Sequence, residues 1–297
     1  MKKFIFIFTL LLLLVPFVTA QEEVQVGLYV LNLGKFDIAT GSFTADFYLS
    51  LKCETKCSPE NFEFMNGRAS TVEKIIDEPN EKFYRIQANL NSPIDLKGFP
   101  FDAQKMQIIL EDKEKTSEDL IYVTNLEESG IDESIVFTGW NIDGWNASVQ
   151  EHDYSIYNET FSQYVFTIDI SRIVLSAFMK TFLPVIFILL VTLFSFLIDP
   201  DKISTRLAMA GSSLVASVMF HVSISNQIPP VGYLTFADKF MVLSYLVLLS
   251  TFIINVVMLE LQEQKKTDLV DRIHRRTEYT VFFVVPLLYI ALFFFFA

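Results

Sequence analysis

Three histidines and two cysteines are few for a chain of 297 residues, and their placement excludes most site chemistry. Only His152 falls between residues 21 and 178, and that stretch has neither a Gly-rich phosphate loop nor an obvious nucleophile–base–acid triad. Cys53 and Cys57 lie in CETKC with no histidine beside them, whereas a tetrahedral zinc site needs four ligands. The spacing lets a turn bring the two thiols together, and an exported compartment permits a disulfide; free thiols are the alternative. The expected protein is not an enzyme and carries no resident cofactor.

Basic residues are also scarce where they would matter most. Residues 21–178 hold 27 Asp and Glu against 12 Lys and Arg. Such an acidic surface disfavours nucleic acid and concentrates cations, although solubility alone accounts for it equally well. No apolar run in this stretch is long enough to cross a bilayer.

Long apolar runs are plentiful elsewhere. The opening MKKFIFIFTLLLLLVPFVTA has two lysines, an apolar middle and a small-residue Val18-Thr19-Ala20 end. It reads as a secretory signal over residues 1–20. After a domain over 21–178 come four apolar segments within 179–297, near 179–198, 203–228, 238–260 and 272–296. Each is close to the ~20 residues a transmembrane helix requires. Lys202 and Arg206 follow the first, and Lys265, Lys266, Arg272, Arg275 and Arg276 lie between the third and fourth, while loop 226–237 has no basic residue. The positive-inside tendency then puts the basic loops in the cytoplasm and the large domain outside a cell (inner) membrane.

The second segment is the most telling. Its apolar sequence is interrupted by Ser212, Ser213, Ser217, Ser223, Ser225 and His221 rather than by charge. Polar groups in hydrocarbon are costly and mark an aqueous path. At 3.6 residues per turn, Ala208, Ser212, Val215, Met219, Val222 and Asn226 form one stripe. That stripe is a pore wall with an apolar gate at Val215, Met219 and Val222, or else a small-residue face packed on neighbouring helices. His221 falls on a different face, where it is a pH switch or a hydrogen-bonding partner for a neighbouring helix.

In the outer domain, alternating segments at 43–52 (FTADFYLSLK), 83–90 (FYRIQANL), 105–110, 120–123, 140–149 and 163–170 are separated by turn residues. This pattern predicts an all-β sandwich of about ten strands, running almost directly into the first span of a four-helix bundle.

Residues 92–106 (SPIDLKGFPFDAQKM) resemble the signature loop of the pentameric ligand-gated ion channels, the Cys-loop receptor superfamily. Ser92 and Met106 stand where animal members carry cysteines, as in the prokaryotic branch. Ile170-Ser171-Arg172, Pro184, 226–230 (NQIPP), Tyr233-Leu234-Thr235 and the short 261–271 connection extend the resemblance in order over nearly all of the chain after residue 20.

The resemblance implies a homopentamer in the lipid bilayer, with the second helix lining the pore for permeant ions and a small-molecule or ion ligand bound between sandwiches. It places Asp37, Phe99, Pro100, Asp102, Arg172, Pro229 and Tyr233 at the boundary that couples ligand to pore, with Asp102 and Asp37 facing Arg172. Ordinary alternatives are a turn-stabilising role for Asp102 and a snorkelling one for Arg172. It also implies an aromatic-walled pocket suited to a cationic amine, with candidates Phe62, Phe64, Trp140, Trp145, Tyr154, Tyr157 and Phe161. Trp140 and Phe64 are equally suited to the core, and Cys53 stands where many members have a Trp.

Glu151, Asp153 and Glu159 form a possible divalent site, with calcium as a modulator. For selectivity, Thr205 replaces the usual Glu ring and is followed by Arg206, so Asp201, Thr205, Arg206 and Ala208 are the candidates. Arg206 either faces the pore or turns away to pair with Asp201. The acidic domain tips the expectation towards cations. A non-conducting receptor for a small ligand is the alternative function.

Overall fold

The computed structural model describes residues 21–54 and 61–296; the leader 1–20 and Cys57 lie outside the described residues. Ten strands come first: β1 (Glu22–Leu33), β2 (Ser42–Cys53), β3 (Phe62–Phe64), β4 (Gly67–Glu78), β5 (Glu81–Asn91), β6 (Ala103–Asp112), β7 (Leu120–Thr124), β8 (Gly130–Ile131), β9 (Trp140–Tyr154) and β10 (Glu159–Arg172). One sheet has the order β4-β5-β2-β1-β7 with β8 also on β1, and the other is β3-β6-β10-β9. Alternation drives the packing. Val24, Val26, Leu28 and Val30 of β1 and Phe43, Phe47, Leu49 and Leu51 of β2 all point inward and are buried, as a pleat with period two requires. The rings of Phe47 and Phe64 meet edge to face across the two sheets at 5.7 Å. The sandwich core is one cluster that includes Met106, Ile108, Leu110, Phe166 and Ile168.

Six helices follow: α1 (Val174–Thr181), α2 (Leu183–Phe194), α3 (Ile203–Ser225), α4 (Phe236–Glu263), α5 (Thr267–Tyr279) and α6 (Val285–Phe296). The first starts at Val174, ahead of the expected 179, because β10 hands over to it with only Ile173 between. α1 and α2 meet at 44°. Pro184 sits in the first turn of α2, where its missing N–H is tolerated but a continuous helix is not. α5 carries the exposed Arg272, Arg275 and Arg276 and joins α6 through a π turn over Thr280–Val284. Among the described residues, three helical stretches are long and apolar enough to cross a membrane, and four if the bent α1–α2 pair counts as one span.

Two cores therefore meet at one junction. Ile38, from the β1–β2 turn, and Ile94, from the β5–β6 loop, pack against both the sandwich cluster and the bundle cluster.

Candidate functional site: a coupling junction and an open helix face

The junction is built on the loop between β5 and β6. Its Phe99–Pro100 peptide is cis. Phe101 enters the bundle, with ring centroids 5.6 Å from Phe182, 5.9 Å from Phe236 and 6.3 Å from Phe293. The loop carbonyls of Lys97 and Phe99 accept hydrogen bonds from the N–H groups of Phe236 and Ala237, both 2.9 Å. These are orphan donors of the first turn of α4, which every helix must satisfy from outside itself. The Leu96 N–H donates to Tyr233 Oη at 2.9 Å, and Thr235 with Asp238 closes a reciprocal capping box on the same turn. The loop thus caps the helix that follows the open-faced α3.

Asp102 is 3 % exposed and accepts from Arg172 Nε at 2.5 Å and from Gln104 Nε2 at 2.7 Å. The guanidinium lies 4.5 Å from the Trp140 ring centre and 5.0 Å from that of Phe99. Its Nη2 is buried with no hydrogen-bond partner among the described residues. Cation–π attraction on two sides and one strong ion pair hold this charge in place. Trp140 is therefore a wall for Arg172, not part of a ligand cage. Asp37 is also elsewhere than expected. It is exposed and its Oδ1 accepts from its own turn, at Ala39 N–H (2.9 Å), which is the ordinary work of Asp in a tight turn. Pro229 is half-buried in the loop before α4. Gln104 and the two isoleucines went unnoticed in the sequence. Gln104 had a signal, being a polar residue at an inward position of an alternating strand.

On α3 the exposed residues form a stripe. Ala208, Ser212, Val215, Met219, Val222 and Asn226 are all exposed, as are Asp201 and Thr205 at its beginning. The opposite face is enclosed by the bundle and holds Arg206, Ala210, Ser213, Ser217 and Ile224. Arg206 is 0 % exposed, 4.6 Å from the Phe196 ring centre, and its Nη2 lies 3.3 Å from His274 Nδ1. It cannot contribute to a ring on the open face, and its partner is His274, not Asp201. The selectivity candidates thus separate, with Asp201, Thr205 and Ala208 on the open side and Arg206 behind. His221 lies between the two faces, with Nδ1 2.8 Å from Tyr245 Oη and Nε2 3.2 Å from Asp238 Oδ1, so it ties α3 to α4.

The aromatic candidates do not converge. Trp145 stacks on Phe166 at 5.3 Å. Phe64 is core. Phe62 contacts Phe64 and Tyr84 and lines a cleft of about 720 Å³ with Glu63, Arg68, Lys74 and Lys113. Tyr157 stands open at the tip of the β9–β10 hairpin. Trp140 is 14 residues from Tyr154 along one strand, about 48 Å at ~3.4 Å per residue. One pocket cannot hold both.

Phe161 and Tyr154 do meet, edge to face at 5.5 Å, and Tyr154 reaches Glu111, which the sequence reading overlooked. Glu111 is 2 % exposed. It accepts from Tyr154 Oη (3.0 Å) and Gln163 Nε2 (3.1 Å) and lies 3.0 Å from His152 Nδ1. Burial, then the hydrogen bond and charge of Glu111, push the Tyr154 hydroxyl up to about 12.

The proposed divalent site fails on register. Glu159 is opposite Tyr154, so it shares a face with His152 and Tyr154, while Glu151 and Asp153 point to the other side. Among the described residues no group of three metal-ligating side chains forms. Cys53 is disulfide-bonded; its candidate partner Cys57 lies outside the described residues.

No family model matches the chain. It is similar to the proton-gated ion channel of Gloeobacter violaceus, with 24% identity over 257 residues covering 78% of this chain and 71% of that one. A channel relative and apolar helices mark a membrane protein. With the FPFD loop seated on the bundle and a ten-strand sandwich ahead of the helices, the similarity to this channel supports the resemblance to the pentameric ligand-gated ion channels, the Cys-loop receptor superfamily.

Proposed function

We propose that the protein is a homopentameric ligand-gated cation channel in a cell membrane, gated from its outer domain. The observation that carries this reading is the open face of α3, where hydroxyls and small residues flank three apolar positions. A lone helix cannot enclose water with such a face, but a closed ring of identical copies can. Val215, Met219 and Val222 would then form stacked apolar rings that gate by excluding water. Cation selectivity is supported by Arg206 being turned into the bundle, by exposed Asp201 at the start of the stripe, and by the acidic outer domain. The relative is named for gating by protons, which makes the proton the first ligand to test here.

Transmission would run through β10 to Arg172, across the Asp102 pair to the β5–β6 loop, and from that loop to the first turn of α4. Reconstituted protein recorded in planar bilayers while pH, calcium and small amines are varied tests the reading directly, alongside native mass measurement. Cation current with a five-subunit mass is expected. A stable monomer or dimer, or silence under every condition, would leave the non-conducting receptor.

A further inference from the structure

The pair of strands that ends at the coupling junction carries a second buried acid at its far end. β6 and β10 pair without interruption from Ser171 opposite Ala103 to Gln163 opposite Glu111. That ladder is about 27 Å long at ~3.4 Å per residue. At the helix end, buried Asp102 of the loop entering β6 holds Arg172 of β10. At the other end, buried Glu111 of β6 holds Gln163 of β10 and His152 of β9.

The two ends differ in one respect. Arginine stays charged at every pH a protein meets, whereas imidazole changes charge between pH 5 and 8. We propose that His152 and Glu111 form the proton-binding site through which the outer domain responds to acid, with the β6–β10 ladder carrying the effect to the Asp102–Arg172 pair. This rests on the channel reading above and names its ligand and receiving residues.

His152 Nδ1 faces a carboxylate oxygen at 3.0 Å, so a lone pair there would be repelled and Nδ1 must carry a hydrogen. A second proton on the ring turns that contact from a neutral donor on a carboxylate into an ion pair of opposite charges. The surroundings make the change matter. Glu63 of β3 lies directly opposite Glu111 and repels it. Lys113 lies beyond the end of β6 and is exposed, and Glu159 is paired with Tyr154. Tyr154 and Gln163 give Glu111 only neutral donors. A buried carboxylate in that setting gains a counter-charge only when His152 is protonated. The added hold between β9 and β6 is present in acid and is lost as pH rises and the imidazole releases its proton. The hairpin end of β10 is then gripped at low pH and loosened at high pH, while its other end stays fixed to Asp102.

The test uses the full chain in liposomes, with flux measured against external pH for wild type, His152→Gln and Glu111→Gln, together with nuclear magnetic resonance of labelled imidazoles. With three histidines in the chain, loss of one signal in His152→Gln identifies its resonance. The expected result is that His152→Gln requires at least about tenfold more protons for half-activation, and that Glu111→Gln changes the response of the His152 signal to pH. A wild-type activation midpoint in His152→Gln, or a His152 titration unmoved by Glu111→Gln, would overturn the inference. If the wild type passes no ions at any pH, the channel reading falls, and the imidazole titration still decides whether this proton site exists.

Discussion

In the sandwich, Val24, Val26, Leu28, Phe47, Leu49, Leu51 and Phe166 are enclosed by their own chain, and most charge stays outside. α3 in the bundle is arranged the other way. Its enclosed face holds Arg206, Ser213 and Ser217, while Val215, Met219 and Val222 stand 64 %, 67 % and 53 % exposed. The sandwich needs no neighbour to complete its core. The helix face does, because a lipid-facing stripe has no use for Ser212 at one end and Asn226 at the other. Helix packing within one chain accounts for the small residues on the enclosed side, and it leaves the open side to other copies.

The largest effect is expected where the two regions are joined. Arg172→Ala leaves Asp102 buried without its counter-charge, a loss of roughly 3–5 kcal/mol in comparable pairs. The variant should assemble and bind protons but fail to open, seen as absent flux with an unaltered native mass. Assembly with normal acid activation would remove the pair from the mechanism.

Next in size is the gate. Val215→Ser replaces two methyl groups by one hydroxyl, so it should raise unstimulated flux by about tenfold, equivalent to ~1.4 kcal/mol. Met219→Ser tests the neighbouring ring. Leu214→Ser serves as a comparison from the flank, since Leu214 packs against the bundle core instead of joining the stripe. A leak from Leu214→Ser alone would place the pore on another face.

Smaller still is Tyr233→Phe, which removes one acceptor from the Leu96 N–H. A single hydrogen bond contributes about 0.5–1.5 kcal/mol, so activation should shift a few-fold without loss of maximum flux.

How much of this was legible in the sequence follows from which contacts are local. Strand alternation and the exposed stripe of α3 depend on side-chain periods of 2 and 3.6, and the FPFD loop with Arg172 is a short pattern of its own. The partners of those residues are another matter. That Arg206 turns to His274, that Trp140 shields Arg172, and that Glu111 gathers His152, Tyr154 and Gln163 are all tertiary outcomes. So is the separation of Glu159 from Glu151 and Asp153, which depends on hairpin register, since neighbours along a strand face opposite sides. An aromatic residue by itself does not announce whether it walls a pocket or fills a core, and Trp140, Trp145 and Phe64 went to packing.

The smallest predicted effect separates sandwich stability from gating. The hydrogen bond from Arg85, set against burial, holds the Asp46 carboxyl below its usual range. That interaction contributes stability above the ordinary carboxylate range and loses it as pH falls through the folded-state value. Asp46→Asn should therefore narrow the difference between thermal unfolding at neutral and strongly acid pH, while leaving activation at milder acidity unchanged. A shifted activation curve would show that stability and gating are not separable in this domain.

The central claim is that one face of α3 is wet and the other is closed. Single cysteines at Ser212, Val215, Met219 and Val222, each treated with a charged, water-soluble thiol reagent during acid-activated flux, test it most directly. The account predicts block at these four positions and none at Ser213→Cys or Ser217→Cys. Block at Ser213 and Ser217 with the stripe unreactive would contradict it.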